Sequence, residues 1–325
     1  MKKKLTPAIS LLVVFFVIIG LFYCCKTSNQ NTPQTNNTIK VENKQEENKA
    51  KDFYYPLDFK IGQMIMIGIG NTTALGINDP IISNLKNNYF GGVVLFEKNI
   101  PRPNSKIQLK KLISDLQTSS TILPLFITID EEGGNVHRLK KKYGFFDIPS
   151  ATYLGKLNNT DSTFYYYQKL ALLLKELGFN INYAPDVDLA VNPKNPVIVR
   201  NERSFGANPD LVVKHALACI RAHHQQGVKT IIKHFPGHGS SSSDTHLGIA
   251  DVTKTWDKKE LIPFRDIIKT GDADAVMSAH IVNCNLDSSC VPGTLSSKIV
   301  NELLRKELKY EGVVFSDDMQ MHAIS

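Results

Sequence analysis

A carboxylate and an imidazole two residues apart are the first feature of this chain that could do chemistry. Asp244 and His246 end the stretch KTIIKHFPGHGSSSSDTH, residues 229–246. At this spacing the carboxylate can accept a hydrogen bond from the imidazole, hold one tautomer and stabilise the imidazolium, as a general acid/base requires. The glycines and serines before the pair predict a loop that carries it over a pocket. A solvated surface loop with isolated histidines is the alternative interpretation.

A short strand is predicted immediately before this loop. Thr230, Ile231 and Ile232 form the β-branched run that is typical of a buried parallel strand. The strand would end at Lys233 and His234, which are both hydrogen-bond donors, and would present them at its carboxyl end.

The whole stretch resembles the KHFPGHG-x4-D-[ST]-H signature of family 3 glycoside hydrolases, in their β-N-acetylglucosaminidase or NagZ-like branch. The resemblance implies an enzyme of the β-N-acetylhexosaminidase type that removes terminal β-linked N-acetylglucosamine from peptidoglycan fragments or related glycans. It implies that Asp244 and His246 are the acid/base dyad, and that Lys233 and His234 bind the sugar. Another β-glycosidase or a glycoside phosphorylase of the same family remains an alternative.

The segment DEEGGNVHR, residues 130–138, resembles the family's D-[QE]-E-G-G-R-V-x-R pattern. This resemblance implies that Asp130 and Arg138 bind the sugar in the −1 subsite. A carboxylate accepts hydrogen bonds from sugar hydroxyls, and a guanidinium donates hydrogen bonds to them. For Glu131 and Glu132, an acidic turn that caps a helix is a sufficient interpretation.

Two more segments match the family. RNERSFG at 200–206 resembles its [NI]-x-R-[AS]-F-G turn, which implies that Arg203 binds the sugar. FSDDM at 315–319 resembles its F-S-D-D-[LM] segment, which implies that Asp317 is the nucleophile and that Asp318 has a supporting role. Adjacent residues of an extended chain point to opposite faces, so at most one of the two carboxylates aims into a common mouth.

These residues together imply a double displacement. Asp317 would attack the anomeric carbon, while His246, oriented by Asp244, protonates the leaving oxygen and later deprotonates water. The β configuration would be retained. Phosphate could replace water as the acceptor.

From residue 53 onward, apolar strand-like runs alternate with amphipathic helix-like segments, which predicts an α/β fold. The runs lie at 63–68, 92–96, 125–129, 181–184, 230–232, 275–280 and 312–316, and the clearest helical patterns at 104–118, 163–177, 208–226 and 296–308. Polar residues follow nearly every run: Asp130 and Glu131, Asp186 and Asp188, Lys233 and His234, His280, Asp317 and Asp318. All strand ends meet at one mouth in a barrel, whereas a doubly wound sheet gathers them at one switch point. The pattern therefore favours a TIM-like (β/α)8 barrel.

A closed (β/α)8 barrel needs eight strands, and the sequence predicts seven. The sequence ends at Ser325, so we expect the barrel domain, residues 53–325, to be truncated before its eighth βα unit. On that expectation the strands at its two edges would be unpaired, and the domain alone would be poorly soluble.

The first 52 residues do not belong to the predicted barrel. Residues 1–25 combine three lysines with an apolar run and resemble an export signal, ending in Cys24 and Cys25, where a lipid could be attached. An uncleaved membrane anchor is the alternative. Residues 26–52 are polar and predict a disordered linker. We therefore expect an exported, membrane-anchored lipoprotein at the cell surface or in the periplasm.

Charge and composition exclude some partners. The chain has a formal net charge of +7, of which the eight lysines and four acids of residues 1–52 account for +4, leaving +3 for the rest. No basic stripe for nucleic acid follows, and no cofactor is expected. A metal site built from His234, His238, Asp244 and His246 is an alternative, but no HxH follows the first strand and no HExxH exists. A surface sugar-binding lipoprotein without activity is the non-enzyme alternative.

Three cysteines lie within the predicted barrel. Cys284 and Cys290 flank a polar loop after the sixth run, and their spacing permits a disulfide in an oxidising compartment. Cys219 lies in a helical pattern and is expected to be buried.

Overall fold

The computed structural model describes residues 55–120 and 122–324. The predictions for residues 1–25 and 26–52, an export signal or anchor and a disordered linker, lie outside the described residues. Within the described ranges, none of the helices combines the length and apolar character needed to cross a membrane.

Nine strands and eight helices alternate along the described chain. The strands are β1 (Met66–Gly68), β2 (Gly92–Leu95), β3 (Phe126–Ile129), β4 (Ile181–Asn182), β5 (Lys229–Phe235), β6 (Ala250–Asp251), β7 (Ala275–Ser278), β8 (Ile281–Val282) and β9 (Val313–Ser316). The helices are α1 (Leu57–Gln63), α2 (Pro80–Lys86), α3 (Ser105–Ser119), α4 (Ala151–Leu157), α5 (Thr160–Leu177), α6 (Pro209–Gln225), α7 (Ile262–Thr270) and the π-helical α8 (Lys298–Glu307).

Seven of the strands form one parallel sheet in the order β1-β2-β3-β4-β5-β7-β9. This order follows the chain and never reverses, so the sheet has no switch point of the doubly wound kind. The sheet is curled and resembles part of a TIM-like barrel. The predicted α/β class and parallel sheet are confirmed. The truncation before an eighth unit and the domain boundaries stay predictions.

Alternate strand residues enter two different apolar clusters. Val93, Ile232 and Val276 face the helices and join the large core between sheet and helices. Ile231 and Met277, on the opposite face, join a smaller cluster inside the curl. Since successive side chains of a strand point to opposite faces, a sheet buried on both sides requires continuous apolar runs such as those in the sequence.

The helices behind the site begin and end at residues that suit those positions. Asn159 caps α5 by accepting a hydrogen bond from the amide of Ser162 at 2.8 Å, and Gly178 ends the helix in the left-handed region at φ 101°. Along one face, Leu170 and Leu174 are buried against the core. Full burial of such a side chain contributes about 1.5–3 kcal/mol. This packing fixes the strands whose ends carry the polar residues.

The fifth strand is longer than predicted. The sequence placed Lys233 and His234 after the strand, but β5 continues through Phe235. Its pairing with β7 shifts register between Ile232 and Phe235. An irregularity of this kind re-aims side chains, and both Lys233 and His234 reach the same polar cluster.

A two-stranded parallel pair, β6 with β8, stands apart from the main sheet and was not predicted. It pairs Ala250 with Ile281 and Asp251 with Val282. The residue range that leaves the Asp244–His246 loop is thereby attached to the segment that follows β7.

Cysteine placement agrees with the sequence. Cys284 and Cys290 are joined by a disulfide, with 4.6 Å between their Cα atoms. Cys219 lies in α6, is a free thiol and is fully buried. The predicted pairing and the predicted burial are both confirmed.

Candidate active site

Glu132 is the centre of a buried ion-pair cluster at the carboxyl ends of the strands. Its Oε1 accepts hydrogen bonds from Lys233 Nζ at 2.7 Å and Arg203 Nη2 at 2.8 Å, and its Oε2 accepts one from Arg203 Nε at 2.9 Å. Burial alone would raise the pKa of Glu132, but the charges of Arg203 and Lys233 outweigh it and hold the pKa well below its usual range. Three segments that are distant in sequence are thus joined by charge.

Asp130 is the partly exposed member of the same cluster. Its Oδ1 accepts a hydrogen bond from Lys233 Nζ at 2.9 Å, and its Oδ2 lies 3.6 Å from Arg138 Nη2. Burial would raise the pKa of Asp130, but Lys233 and Arg138 lower it on balance. The side chain keeps 20% of its surface exposed, so an ionised acceptor faces the mouth.

His234 connects Arg203 to a second carboxylate. Its Nδ1 donates to Asp188 Oδ2 at 2.6 Å, and its Nε2 accepts from Arg203 Nη2 at 3.1 Å. Asp188 also accepts the backbone amides of His234 at 3.2 Å and His238 at 2.7 Å. Burial would raise the pKa of Asp188, but His234 and these hydrogen bonds lower it on balance. The histidine is therefore held as the Nδ1–H tautomer.

The turn that carries Arg138 is fixed by Glu131. The carboxylate of this fully buried residue accepts the backbone amides of Arg138 at 2.8 Å and Leu139 at 3.0 Å, and it contacts His137 Nδ1. Asn182 in β4 accepts the amide of Glu131 at 3.0 Å and donates to its carbonyl at 2.9 Å. The interpretation of Glu131 and Glu132 as helix caps is wrong, because a turn rather than a helix follows them.

Behind this turn lies a buried histidine of α6. His223 Nδ1 donates to the carbonyl of Cys219 at 2.9 Å, and its Nε2 accepts from Asn182 Nδ2 at 3.1 Å. Burial lowers the pKa of His223 to about 4. A neutral imidazole thus supports the residue that holds Glu131.

Asp244 and His246 form a hydrogen-bonded pair. Asp244 Oδ1 accepts hydrogen bonds from His246 Nδ1 at 2.7 Å and from the His246 backbone amide at 2.9 Å. Burial would raise the pKa of Asp244, but the hydrogen bonds from His246 lower it on balance. The imidazole is 58% exposed, so the surrounding solvent reaches it. In this arrangement Nδ1 is committed to the carboxylate, and Nε2 is the atom that can exchange a proton with a ligand.

The loop of the dyad contacts the segment that follows Asp317. The carbonyl of Thr245 accepts the backbone amide of Ala323 at 3.3 Å. Asp317 itself is half-buried, and its amide donates to the carbonyl of Ser278 in β7 at 3.1 Å. Asp318 is exposed, and its carbonyl accepts from Nε2 of buried His280 at 2.9 Å. Of the two adjacent carboxylates, Asp317 is the one turned toward the protein.

Tyr183 is subject to the charges of both Asp130 and Asp317. This residue belongs to the apolar cluster inside the curl. Burial raises the pKa of Tyr183, and the carboxylates of Asp130 and Asp317 both act in the same direction. Asp130, the sugar-binding candidate, and Asp317, the candidate nucleophile, therefore both act electrostatically on this one phenol.

Comparison with known proteins assigns this architecture to a family. Residues 56–325 match the glycosyl hydrolase family 3 N-terminal domain. The chain belongs to glycosyl hydrolase family 3.

Relatives of this family 3 chain include beta-hexosaminidase A of Pseudoalteromonas piscicida, which is 38% identical over 264 residues, 76% of this chain and 44% of the relative. A family 3 beta-N-acetylglucosaminidase structure from Paenibacillus sp. str. FPU-7 superposes with a TM-score of 0.76 at 34% identity, over 84% of this chain and 51% of the other. Native NagZ from Neisseria gonorrhoeae superposes with a TM-score of 0.71 at 30% identity, over 80% and 74%. The family 3 prediction, with its NagZ-like branch, is confirmed. The chain spans about half the length of the first two proteins.

Within this family 3 domain, the sequence-predicted residues fall into two groups. Asp130, Arg138, Arg203, Lys233 and His234 share one network of ion pairs and hydrogen bonds. Asp244 and His246 form a separate pair, and within residues 55–120 and 122–324 no hydrogen bond or ion pair joins that pair to Asp317. The sequence analysis placed neither Glu132, interpreted as a helix cap, nor Asp188, which follows a strand, among the site residues. The signal for both was the set of buried cations, since Arg203, Lys233 and His234 require acidic partners.

The same cluster contains a group of three residues that could hold a metal ion. Ligand atoms of Asp186, Asp188 and His234 lie within 4.8 Å of one another. The Arg203 guanidinium already lies 3.3 Å from Asp186 Oδ2 and 3.1 Å from His234 Nε2, and the His234 Nδ1 proton faces Asp188. A divalent cation would have to sit beside the fixed positive charge, so these residues fit an ion-pair network better than a metal site.

Proposed function

We propose that this chain is a retaining exo-β-N-acetylglucosaminidase that hydrolyses terminal β-linked N-acetylglucosamine. The observation that carries the proposal is the formed Asp244–His246 pair, on a loop whose Thr245 carbonyl binds the segment after Asp317. This contact supports the proposal that a general acid/base on the loop and a carboxylate nucleophile at Asp317 act at the same mouth. The similar proteins named beta-hexosaminidase and beta-N-acetylglucosaminidase support the substrate class.

The sugar in the −1 subsite would be held by Asp130, Arg138, Arg203, Lys233 and His234. Asp130 offers an ionised, partly exposed acceptor for sugar hydroxyls. Arg138 Nε is buried without a hydrogen-bond partner among the described residues, and a hydroxyl oxygen would satisfy it. Lys233 and Arg203 are held by Glu132, so their donors have fixed directions.

The reaction would proceed in two displacements. An Asp317 carboxylate oxygen attacks the anomeric carbon and the bond to the leaving oxygen breaks, while His246 gives that oxygen its Nε2 proton. In the second step His246 takes a proton from water, and the resulting hydroxide oxygen replaces Asp317 at the same carbon. Asp244 keeps the imidazole in one orientation and stabilises its charged form. Two inversions retain the β configuration.

The source of the substrate is also a proposal. Peptidoglycan fragments or related glycans are the expected substrates, and a signal or lipid anchor in residues 1–25 would place the domain outside the cytoplasm at a membrane. Neither a nucleic-acid partner nor a cofactor is part of the proposal. Phosphate as an alternative acceptor would give N-acetylglucosamine 1-phosphate as the product.

The decisive experiment is product analysis by NMR with an aryl β-N-acetylglucosaminide and the full chain. We expect release of the phenol and initial formation of β-N-acetylglucosamine, both abolished in the Asp317→Ala variant. Initial formation of the α anomer would refute the double displacement. Binding of N-acetylglucosamine without turnover would favour the sugar-binding lipoprotein, and N-acetylglucosamine 1-phosphate in phosphate buffer would favour a phosphorylase.

A further inference from the structure

A buried carboxyl group that the proposed reaction does not use lies directly beneath the dyad loop. Glu260 belongs to the short 3-10 turn Lys258–Leu261 that precedes α7, and it is 1% exposed. Its Oε2 accepts the backbone amide of Ser240 at 3.1 Å, and its Oε1 faces the amide of Asp257 at 3.4 Å. One side chain thus links the loop to the turn that begins the next helix.

The start of the loop packs closely on this turn. Gly237 adopts a φ of 119°, and a Cβ at that position would lie 2.6 Å from Glu260 Cβ. Trp256 Nε1 donates to the carbonyl of Pro236 at 3.1 Å. A side chain at Gly237 would therefore push the loop away from Glu260.

The contacts differ between the two halves of the loop. In its first half, Asp188 holds the amide of His238 and Glu260 holds the amide of Ser240. In its second half, Asp244 and His246 hydrogen-bond mainly to each other, and the Thr245 carbonyl binds Ala323. The fixed first half determines the point from which the dyad projects.

A buried glutamate that lacks an ion pair is unusual for a residue whose role is only structural, and Glu260 is such a residue. The ion pairs formed within residues 55–120 and 122–324 give it no cationic partner, in contrast to Glu132. Burial raises the pKa of Glu260 to about 7, and the negative charge of Asp188 acts in the same direction. In either protonation state one carboxyl oxygen can accept the Ser240 amide.

We propose that Glu260 is a positioning residue for the acid/base dyad: by holding the Ser240 amide, it fixes the base of the loop that presents Asp244 and His246. The kinetic part of this inference rests on the proposed glycosidase function. The structural part, that Glu260 controls the loop, does not.

The structural part is tested by hydrogen–deuterium exchange of the full chain without substrate. Glu260→Ala removes the acceptor, whereas Glu260→Gln keeps a carbonyl oxygen in a side chain of the same shape. We expect the Ser240 amide and the peptide spanning 237–246 to exchange at least about 10-fold faster in Glu260→Ala, and at a near-native rate in Glu260→Gln. Unchanged exchange in a folded Glu260→Ala protein would overturn the proposal, whatever the activity.

The kinetic part uses two β-N-acetylglucosaminides, one with a good aryl leaving group and one with a poor alkyl leaving group. Because only the poor leaving group needs a proton in the first step, Glu260→Ala should lower its kcat about 10- to 100-fold and affect the aryl glycoside much less. Glu260→Gln should restore most of that rate. In a His246→Ala background, Glu260→Ala should have little further effect, since the group it positions is absent.

Equal loss with both substrates, or a full additional loss in the His246→Ala background, would show a general structural role and overturn the proposal. If Glu260→Ala does not fold, Gly237→Ala provides a second variant that leaves Glu260 in place but displaces the loop. It should produce the same exchange and leaving-group pattern, and a native pattern would contradict the proposal. A wild-type chain without turnover would defeat the proposed function and leave the exchange test intact.

Discussion

The ion-pair cluster around Glu132, which we propose binds the sugar, and the loop that carries Asp244 and His246 are built in opposite ways. Arg203 and Glu132 keep 10% and 4% of their side-chain surface, and each has more than one charged partner. His246 and Asp244 keep 58% and 29%, and they pair with each other. The first region is a buried network of ion pairs, whereas the second is a partly exposed pair on a loop.

This difference follows from the cost of burying charge. Buried ions are tolerated only with well-placed partners, and such a network allows few alternative arrangements. An exposed pair on a loop of small residues loses little when the loop moves. The comparison suggests that recognition of the sugar is rigid, and that proton transfer is completed by movement of the loop toward bound substrate.

The largest effect is expected at the nucleophile. Asp317→Ala should abolish turnover of aryl glycosides, because no other group can form the glycosyl bond, whereas Asp318→Asn should leave a measurable rate. Initial rates of phenol release provide the measurement. A larger loss of turnover in Asp318→Asn than in Asp317→Ala would assign the nucleophile to Asp318. Equal losses of turnover would indicate an effect on the backbone of the turn.

The role of the Asp244–His246 pair can be distinguished from that of the proposed nucleophile by how strongly each substitution effect depends on the leaving group. His246→Ala should lower kcat by about 10²- to 10⁴-fold for poor leaving groups and far less for activated aryl glycosides. Asp244→Asn should act in the same direction, more mildly. A His246 defect that is independent of leaving-group acidity would indicate a binding role instead.

The rigid cluster should be more important for stability than the dyad. Arg203→Ala leaves Glu132 and Asp186 without their guanidinium, so we expect the free energy of unfolding to fall by about 3–5 kcal/mol. His246→Ala, at an exposed position, should change it by less than about 0.5 kcal/mol. Urea titrations of both variants measure these losses of unfolding free energy. Similar losses in Arg203→Ala and His246→Ala would contradict the expected difference between the two regions.

A smaller, pH-dependent effect is expected from His223 behind the cluster. Its folded-state pKa of about 4 lies below the unfolded value of about 6.5, so the unfolded state binds the proton first as pH falls. The stability contributed by neutral His223 is therefore present above pH 6.5 and is lost toward pH 4, by up to about 3 kcal/mol. Glu260, with its raised pKa, acts in the opposite sense.

A comparison of wild type with His223→Gln isolates that histidine. The free energy of unfolding, measured by urea titration at several pH values from 7 to 4, should fall less steeply in the variant. Parallel curves would show that His223 takes up its proton in the folded state as readily as in the unfolded state.

The sequence was sufficient for features set by local pattern. β-branched runs such as Ile231–Ile232 identified the strands. The expectation that residues following those runs, such as Asp130 and Asp317, meet at one mouth stays a prediction. The spacing of Asp244 and His246 correctly predicted their hydrogen bond.

Features that depend on long-range partners were not accessible in the same way. The sequence around Glu132 does not predict that Arg203 and Lys233 will surround it, because those residues lie at least 71 positions away along the chain. The register shift in β5 that turns both Lys233 and His234 to the cluster depends on pairing with β7. Strands as short as β6 and β8 carry too few residues for a periodic pattern.

The small β6–β8 pair has a practical consequence for protein engineering. Together with the hydrogen bond between Glu260 and Ser240, it anchors both stems of the loop, at Ser240 and at Ala250. The travel available to His246 is therefore limited by the contour length of residues 241–249 and by two hydrogen bonds within that span, from Asn192 Nδ2 to the Ser241 carbonyl and from the Ala323 amide to the Thr245 carbonyl. Insertions or deletions in that span should tune how far the acid/base reaches, and hence the size of leaving group it can serve, while the sugar-binding half of the pocket keeps its shape.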